Sequence, residues 1–462
     1  MKKPFLFVAI ALFAGAALVW SHGRTTVGSY ARSNILIISV DALRADHLGT
    51  YGYGRDCSPT IDALSKRAVT FDRAFAPRGS TWPSLTTMLT SLSPVTHNVR
   101  ENGQYPPPDI RTIAHILGDA GYSAEAFVSG TICYIARRVD AFKKVACGED
   151  TYVASAAADF IRSNDGRPFF AWLHILAPHG PYDPPAAYDR FTRADYHGQI
   201  GRDQLTLGAV IRNQKPLTDE DRAQLYGLYD GEILFADAQI ALVLKALEEK
   251  GLQERTIVVF LADHGEELAD HNGYLYHSCS VYDSVLRIPL IIALPDGAGA
   301  GRRSASIIET QDLAPTLLEL VGLEPLPSFE GRSRITRLGS SDESPPEAST
   351  TNGEFSSSEW YASDVDKTIQ TVRTARWRYV SNPSGLTPRC PPRGDYYKVQ
   401  REELYDHASD PLDHRNVVAD HPELAQRFAK IAEAENARSI KVKPQEIDKN
   451  LEGELRSFGY VE

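Results

Sequence analysis

The sequence is poor in sulfur-containing residues and carries no excess of positive charge. Its 462 residues include 2 methionines and 5 cysteines, and Asp and Glu outnumber Lys and Arg by 60 to 49. The net charge of -11 provides no basic surface for a polyanion, which argues against nucleic acid as a partner. No Cys-x-x-Cys pair occurs, which argues against a thiolate metal cluster. Hydrophobic residues make up 42% of the chain, enough for the large core of a globular protein.

The odd number of cysteines leaves at least one thiol unpaired. Cys133 and Cys147 are the pair that we expect to form a disulfide. The alternative is that both are buried free thiols, because a chain of this length does not need covalent crosslinks to stabilise its core.

Only one long apolar run is present, and it lies at the N terminus. Lys2 and Lys3 precede the apolar residues 4–20, and polar residues follow, a layout typical of an export signal. The run is longer than a signal-peptide core and shorter than a full membrane span. Residues 1–24 are therefore predicted to be either a cleaved signal peptide or a single membrane anchor, with a buried helix as the remaining alternative. The protein is expected to be exported, to the periplasm or another extracytoplasmic space.

Apolar runs rich in β-branched residues predict strands that are buried on both faces of a parallel sheet. The predicted strands are residues 34–40, 124–128, 169–175, 256–262 and 289–294. Helical patterns lie between them, at residues 110–120, 232–250 and 311–321. Strands that alternate with helices indicate an α/β fold whose largely parallel, doubly wound sheet is flanked by helices.

The composition changes after this alternating region. Residues 338–358 are rich in Ser, Pro, Glu and Gly, which predicts a linker or exposed loop. Short antiparallel strands are predicted within residues 368–382 and 402–411, and an amphipathic helix within residues 421–438. Residues 359–462 are therefore predicted to form a smaller C-terminal α+β subdomain.

Acidic and histidine side chains follow three of the predicted strands. Asp41 follows the first strand, and Asp263 and His264 follow the strand at 256–262. His179 lies just beyond the strand at 169–175. Ligands of open α/β sheets bind at the carboxyl ends of the strands, and two buried carboxylates there need a positive partner. A divalent metal ion such as Zn²⁺, Mn²⁺ or Ca²⁺ fits this set; the alternative for either aspartate is that it caps a helix.

The stretch TWPSLTTMLTS, residues 81–91, is rich in hydroxyl side chains. Leu85 and Met88 recur at helical spacing and Pro83 suits a first turn, so a helix is predicted to begin near Thr81. The dipole and free N–H groups of a helix N terminus favour a negatively charged oxygen. Thr81 is therefore a candidate nucleophile, and the alternative is that it serves only as an N-cap.

Seven segments in order resemble the sulfatase family of the alkaline-phosphatase-like superfamily. They are NILIISVDALRADHLGTYGY, SPTIDALSKRAVTFDRAFA, TWPSLTTMLTS, APHGPYDPP, TIVVFLADHGEEL, HSCSVYDSVLRIPLII and ELYDHASDP, and together they extend from residue 34 to about residue 416. The resemblance implies a catalytic α/β domain at residues 33–337, a smaller C-terminal subdomain, and one divalent metal ion.

The resemblance also assigns roles to individual residues. The metal ligands implied are Asp41, Thr81, Asp263 and His264. Thr81 takes the position of the nucleophile. His179 and His277 take positions that bind the ester anion or protonate the leaving group, although a solvated loop histidine is the alternative for His277. The partner implied is an anionic ester substrate, whereas the oligomeric state is not predicted.

Several positions depart from the usual family pattern. Thr81 stands where the family has the Cys or Ser that matures to formylglycine, and Leu85 and Ala42 replace an arginine and a second aspartate. His264 replaces an asparagine. These changes resemble the Thr-nucleophile branch of the superfamily. We therefore expect an exported, metal-dependent hydrolase or transferase of sulfate or phosphate esters; the alternative is an inactive sulfatase-fold protein that binds an anionic ligand or glycan. Residues 131–150 and 186–222 contain no motif that indicates specificity.

Overall fold

The computed structural model describes residues 29–213, 216–271, 274–339, 356–361, 368–387, 398–438 and 453. The predicted N-terminal signal or anchor, residues 1–24, lies outside the described residues, as do residues 340–355 of the predicted linker. In the part of the chain that is described, no helix combines the length and apolar character needed to cross a membrane.

Fourteen strands are assigned in the described residues. They are β1 Asn34–Val40, β2 Val69–Phe75, β3 Ser123–Ser129, β4 Lys144–Gly148, β5 Phe169–Ile175, β6 Thr256–Ala262, β7 Glu267–Leu268, β8 Leu275–Tyr276, β9 Arg287–Ala293, β10 Arg302–Glu309, β11 Ser356–Tyr361, β12 Thr368–Arg373, β13 Trp377–Ser381 and β14 Glu402–Asp406. Three of the predicted strands, β1, β5 and β6, have the predicted bounds. All three are fully buried along their length, as their continuous apolar sequences require.

An eight-stranded sheet forms the centre of the molecule, in the order β10-β2-β9-β6-β1-β5-β3-β4. Its pairs are parallel except where β9 meets β2 and β6. The strand that we predicted at residues 289–294 corresponds to β9, which is antiparallel to both of its neighbours. The prediction of an α/β fold with a largely parallel sheet is confirmed.

Helices flank this sheet, and one further helix, at residues 422–438, packs on a second sheet. Twelve α-helices are assigned in the described residues. They are α1 Pro59–Ser65, α2 Thr81–Thr90, α3 Pro94–His97, α4 Ile113–Asp119, α5 Ile132–Arg138, α6 Asp150–Arg162, α7 Gln204–Asn213, α8 Asp219–Glu249, α9 Asp283–Leu286, α10 Leu313–Leu320, α11 Ile335–Gly339 and α12 Pro422–Arg438. Helix α8 begins thirteen residues before the predicted start at residue 232. Thr218 and Asp221 form a capping box there, which satisfies N–H groups that the first turn leaves unpaired.

A second sheet of four antiparallel strands, in the order β11-β12-β13-β14, follows the main sheet. Helix α12 packs on it through Phe428, whose ring stacks on that of Tyr379 at 6.1 Å between centroids. The small C-terminal antiparallel sheet agrees with the predicted subdomain. The predicted linker, residues 338–358, overlaps the end of α11 and the start of β11.

The predicted disulfide is present. Cys133 and Cys147 are bonded, with 5.7 Å between their Cα atoms, and they connect α5 to β4. Cys279 also belongs to a disulfide, and Cys57 is a buried free thiol. At least one thiol therefore remains unpaired, as the odd number of cysteines requires.

Replacing Cys133 and Cys147 together by serine should destabilise the folded protein. In the chain-entropy view, the loss of a crosslink that closes a loop of this length costs about 3 kcal/mol. Urea unfolding of both proteins under oxidising conditions measures the difference. The same comparison in reductant is the control, since reduction opens the crosslink in the wild type as well; a difference that persists there would assign the effect to the serine side chains.

Candidate active site

The predicted acidic residues meet because β1 and β6 are neighbours in register. Val40 pairs with Ala262 at the carboxyl ends of the two strands. The ladder continues one residue further, where the Asp263 N–H donates to the Val40 carbonyl at 3.3 Å and the Asp41 N–H donates to that of Ile175 at 2.9 Å. Asp41 and Asp263 therefore leave the sheet at the same level, and both are fully buried.

The two carboxylates have different surroundings. Asp263 Oδ1 accepts the N–H of Ala42 at 3.2 Å and that of His264 at 2.8 Å. Its Oδ2 is buried and has no hydrogen-bond partner in the described part of the chain. Ala42 adopts a left-handed backbone with φ 54°, which is uncommon for a residue other than glycine. This local conformation is part of the turn that directs the Ala42 N–H toward Asp263.

His264 presents its Nε2 atom to both carboxylates. Its Nδ1 lies 2.9 Å from the Gly265 carbonyl oxygen, an acceptor only, so Nδ1 carries the hydrogen. The unprotonated Nε2 then lies 3.6 Å from Asp41 Oδ1 and 3.4 Å from Asp263 Oδ2. Burial lowers the pKa of His264 well below its usual value, which keeps this nitrogen available as a ligand atom.

These three residues fit a divalent cation. One ligand atom from each of Asp41, Asp263 and His264 lies within 4.8 Å of the others. Burial, together with the negative charge of Asp41, raises the pKa of Asp263 well above its usual value. Two carboxylates so close together without a positive partner repel each other. In addition, Asp263 Oδ2 has no hydrogen bond to the residues that the structure describes, and a cation would supply the contact that this oxygen lacks. The donor set of two oxygens and one nitrogen is one that Zn²⁺ or Mn²⁺ accepts.

Thr81 lies at this cluster. It is the first residue of α2, preceded by Ser80 in an extended conformation, and it is completely buried. Thr81 Oγ1 lies 3.5 Å from Asp41 Oδ1 and 3.3 Å from His264 Nε2. The structure therefore brings the predicted nucleophile to the predicted metal ligands.

Side chains around α2 fix its position. The Trp82 N–H donates to Asn102 Oδ1 at 2.9 Å, and Ser84 Oγ donates to the Asp263 carbonyl at 2.6 Å. A Cβ atom on Gly79 would lie 2.4 Å from Val285 Cγ1 and 2.9 Å from the His277 carbonyl oxygen. The chain therefore needs glycine at position 79 to bring the start of α2 against the loop that carries His277.

The two predicted substrate-binding histidines also lie here. The His277 ring is 4.3 Å from that of His264 and 5.0 Å from that of His179, between centroids. Both histidines are buried, so the alternative of a solvated loop histidine does not describe His277. Burial lowers the pKa of His277 to about 4 and also lowers that of His179. Both rings are therefore predominantly neutral near pH 7 in the absence of an anion.

Glu266 is a site residue that the sequence analysis missed. Its Oε1 lies 3.0 Å from His277 Nδ1, which directs His277 Nε2 away from Glu266. Glu266 is fully buried, and burial raises its pKa to about 8. The sequence signal for this residue is its position, since Glu266 follows the Asp263-His264 pair by two residues.

His174 is the other missed residue. Its Nε2 lies 3.6 Å from Asp41 Oδ2, and its Nδ1 lies 2.9 Å from Ser39 Oγ. A single histidine within the otherwise apolar run of β5 was the available signal, because a polar side chain in a buried strand must have a partner. His174 thus approaches one oxygen of Asp41 and His264 approaches the other.

A second group of acidic and histidine residues has a different character. Asp283, His407 and Asp413 also have close ligand atoms. Arg373 lies 3.1 Å from Asp283, and Arg378 contacts both Asp283 and Asp413. Two guanidinium groups already supply the positive charge, so this group is an ion-pair network that connects the C-terminal sheet to α9.

Comparisons with known proteins agree with this architecture. A family model described as Sulfatase matches residues 33–323, and one described as N-sulphoglucosamine sulphohydrolase, C-terminal, matches residues 272–438. The chain is 24% identical to an ulvan-active sulfatase of Formosa agariphila, over 87% of this chain and 73% of that protein. It is also 24% identical to a Δ4,5-hexuronate-2-O-sulfatase of Bacteroides thetaiotaomicron, over 84% and 85%. It spans half the length of two relatives named arylsulfatase K.

The fold is similar to that of solved structures as well. The phosphonate monoester hydrolase of Agrobacterium radiobacter superposes with a TM-score of 0.68 at 22% identity, over 89% of this chain and 96% of that one. This likeness concerns the fold alone. Since the Sulfatase model covers more than half of the sequence, and the sheet edge carries the cluster described above, the chain belongs to the sulfatase family and is a hydrolase of that family.

Proposed function

We propose that this protein is an exported, metal-dependent hydrolase of sulfate esters that uses Thr81 as its nucleophile. The observation that carries the proposal is the position of Thr81 Oγ1, at a helix N terminus and within 3.5 Å of Asp41 and His264. The helix N terminus favours negative charge on this oxygen. Export is supported by Lys2, Lys3 and the apolar residues 4–20.

Asp41, Asp263 and His264 would hold one divalent cation, with Thr81 Oγ1 as a further ligand. The bound ion would supply positive charge beside the attacking oxygen and the ester anion. The identity of the metal follows from the donors only as far as the class Ca²⁺, Mn²⁺ or Zn²⁺. His174 and the backbone N–H groups of Ala42 and His264 hold the two carboxylates in place.

The proposed reaction has two displacements at sulfur. Thr81 Oγ1 bonds to sulfur and releases a proton, while the bond from sulfur to the leaving oxygen breaks and that oxygen takes up a proton, so the first displacement gives a threonine sulfate ester and a free alcohol. Water then attacks the sulfur of the threonine sulfate ester, which releases inorganic sulfate and returns a hydrogen to Oγ1. If an alcohol replaces water in the second step, the same chain acts as a transferase. The ester products therefore distinguish the two activities.

His179 and His277 would act on the bound ester. The His277 ring packs against that of His264, and the His179 ring packs against that of His277. An incoming anion favours the protonated forms of both histidines. Glu266 contacts Nδ1 of His277, which leaves Nε2 of that ring to face the ester. One of these histidines then binds the sulfate oxygens and the other gives a proton to the departing oxygen.

The choice of sulfate over phosphate rests on relatives. The curated relatives are named as sulfatases, one active on ulvan and one on a 2-O-sulfated hexuronate. A sulfated saccharide is therefore the substrate class that we propose. Phosphate and phosphonate esters remain the comparison to make, since the same donors accommodate either tetrahedral group.

Replacing Thr81 by valine should remove hydrolysis while leaving the fold intact. Valine keeps the branched shape in this buried position but has no hydroxyl, and loss of a nucleophile lowers kcat by about 10³-fold or more. Thr81→Ser, which keeps the hydroxyl, is the matched control and should retain measurable turnover. Activity is measured on an aryl sulfate, a phosphate monoester, a phosphodiester and a phosphonate monoester.

The panel also separates the competing functions. Turnover of the aryl sulfate by Thr81→Val at the wild-type rate would rule out the threonine mechanism. A wild-type protein that turns over none of the four esters while binding sulfated saccharides would be the inactive sulfatase-fold protein considered above. Greater turnover of phosphate or phosphonate than of sulfate would move the proposal to those esters.

Metal binding should stabilise the folded protein, and more so at higher pH. Because the folded state raises the pKa of Asp263, the metal-free protein loses stability as pH rises above about 4. A cation relieves this loss and adds about 2.7 kcal/mol when its concentration is 100 times Kd. Thermal unfolding at pH 5 and pH 8, with and without Ca²⁺, Mn²⁺ or Zn²⁺, measures the effect.

Asp263→Asn is the control for this measurement. The variant lacks the carboxyl whose pKa is raised, so without metal its stability should fall less than that of the wild type between the two pH values. It should also bind less than the one metal ion per chain expected for the wild type by elemental analysis. Equal stabilisation of both proteins by the metal would place the ion elsewhere.

A further inference from the structure

We propose that a cavity beside the reaction centre is a subsite for one hydroxyl-bearing sugar ring of the substrate. The cavity has a volume of about 930 Å³, within the range of small-molecule sites. The inference deepens the function proposed above and rests on it in one respect: the sugar ring belongs to the ester that Thr81 attacks.

The cavity lies at the same edge of the sheet as the predicted metal ligands. Its wall includes one residue from the carboxyl end of each of three strands: Gly130 directly follows β3, Gly148 is the last residue of β4, and Leu176 directly follows β5. In the sheet order β6-β1-β5-β3-β4, the metal cluster lies above β6 and β1 and the cavity above β5, β3 and β4. A substrate that extends along this edge would reach both.

Asp150 connects the cavity to the loop that carries His179. Its two carboxylate oxygens accept the N–H groups of Leu176 at 2.8 Å and Ala177 at 3.0 Å. Asp150 and Leu176 both line the cavity. The loop that places His179 at the reaction centre is therefore also a wall of the cavity.

Helix α8 presents a polar face to the cavity. Glu232, Phe235 and Gln239 lie on one side of the helix and line the cavity. Glu232 and Gln239 are each only 8% exposed, although burying such side chains in a helix core is costly without partners. Glu232 Oε1 accepts the Asp183 N–H at 3.0 Å, and Gln239 Nε2 donates to the Phe235 carbonyl oxygen of the same helix at 3.4 Å. A ligand with hydroxyl groups would form further hydrogen bonds with the Glu232 carboxyl group and the Gln239 amide.

Aromatic rings complete the lining. Tyr188 packs edge-on against Phe235, with 5.4 Å between ring centroids, and Tyr134 lies on the opposite wall formed by α5. Flat apolar surfaces combined with a few polar groups are the usual composition of a small-molecule pocket. Here they offer packing for the apolar face of a sugar and hydrogen bonds for its rim.

The charges of the lining limit which sugar fits. Among the described residues that line the cavity, Arg137 is the single cation. Four acidic residues, Glu149, Asp150, Asp183 and Glu232, also line it. One anionic group, such as a carboxylate, can face Arg137, whereas a ring with several sulfates would meet the acidic residues. The ring in this cavity therefore carries mainly hydroxyl groups.

The disulfide keeps this wall in place. Cys133 and Cys147 both line the cavity and connect α5, which carries Tyr134 and Arg137, to β4. A wall that is fixed before the ligand arrives loses less conformational entropy on binding.

The test uses the full-length protein and an unsulfated, uronate-containing disaccharide prepared from ulvan, titrated by NMR. We expect binding to the wild type and to Thr81→Val, and weaker binding by about tenfold in Arg137→Gln and in Gln239→Leu. Lys144→Gln is the matched control, because this exposed lysine on β4 does not line the cavity. Thermal unfolding verifies that each variant is folded, and Arg137, being exposed, is safe to replace.

The outcomes separate this inference from the proposed function. No binding to the wild type at millimolar disaccharide, or equal weakening by Lys144→Gln and Arg137→Gln, overturns the subsite. Disaccharide binding in a protein that hydrolyses no ester leaves the subsite in place and removes the proposed function. Hydrolysis of an aryl sulfate without disaccharide binding leaves the proposed function in place and removes the subsite.

Discussion

The structure of the site depends on the repulsion between two buried carboxylates. Asp41 and Asp263 leave adjacent strands at the same level and are fully removed from water. The fold holds them there through the sheet ladder and through the N–H groups of Ala42 and His264. A conformation that is unfavourable for the protein alone would become favourable with a cation between the two carboxylates. The carboxylates thus lower the stability of the metal-free fold, and the same two groups would provide affinity for a cation at the edge of the sheet.

Much of this site could be predicted from the sequence because strand ends are easy to locate. Apolar β-branched runs such as β1 and β6 end abruptly at an aspartate, so the bounds of both strands were predicted correctly. The parallel arrangement then implied that Asp41 and Asp263 meet. Glu266 and His174 could not be assigned in this way, since their roles arise from side-chain contacts across the site and not from their distance along the chain.

Other features lay beyond sequence reasoning for different physical reasons. The first half of α8 begins with four charged residues and includes Gly227 and Gly231, which weaken the helical pattern, and its start is set by the capping box at Thr218. The reversed direction of β9 depends on how the chain returns to the sheet, which its apolar composition does not encode. Residues 131–150 contain no motif, yet they build a wall of the cavity because a disulfide and α5 bring separate side chains together.

Two disulfides make the folded protein sensitive to the redox state of its surroundings. The Cys133–Cys147 bond holds α5 to β4 in the cavity wall, and the loop that carries His277 contains Cys279, which belongs to another disulfide. Disulfides are rare in reducing compartments. A chain kept in such a compartment would therefore lack one crosslink at the cavity wall and another beside the reaction centre, while the strand ends that carry Asp41 and Asp263 need neither.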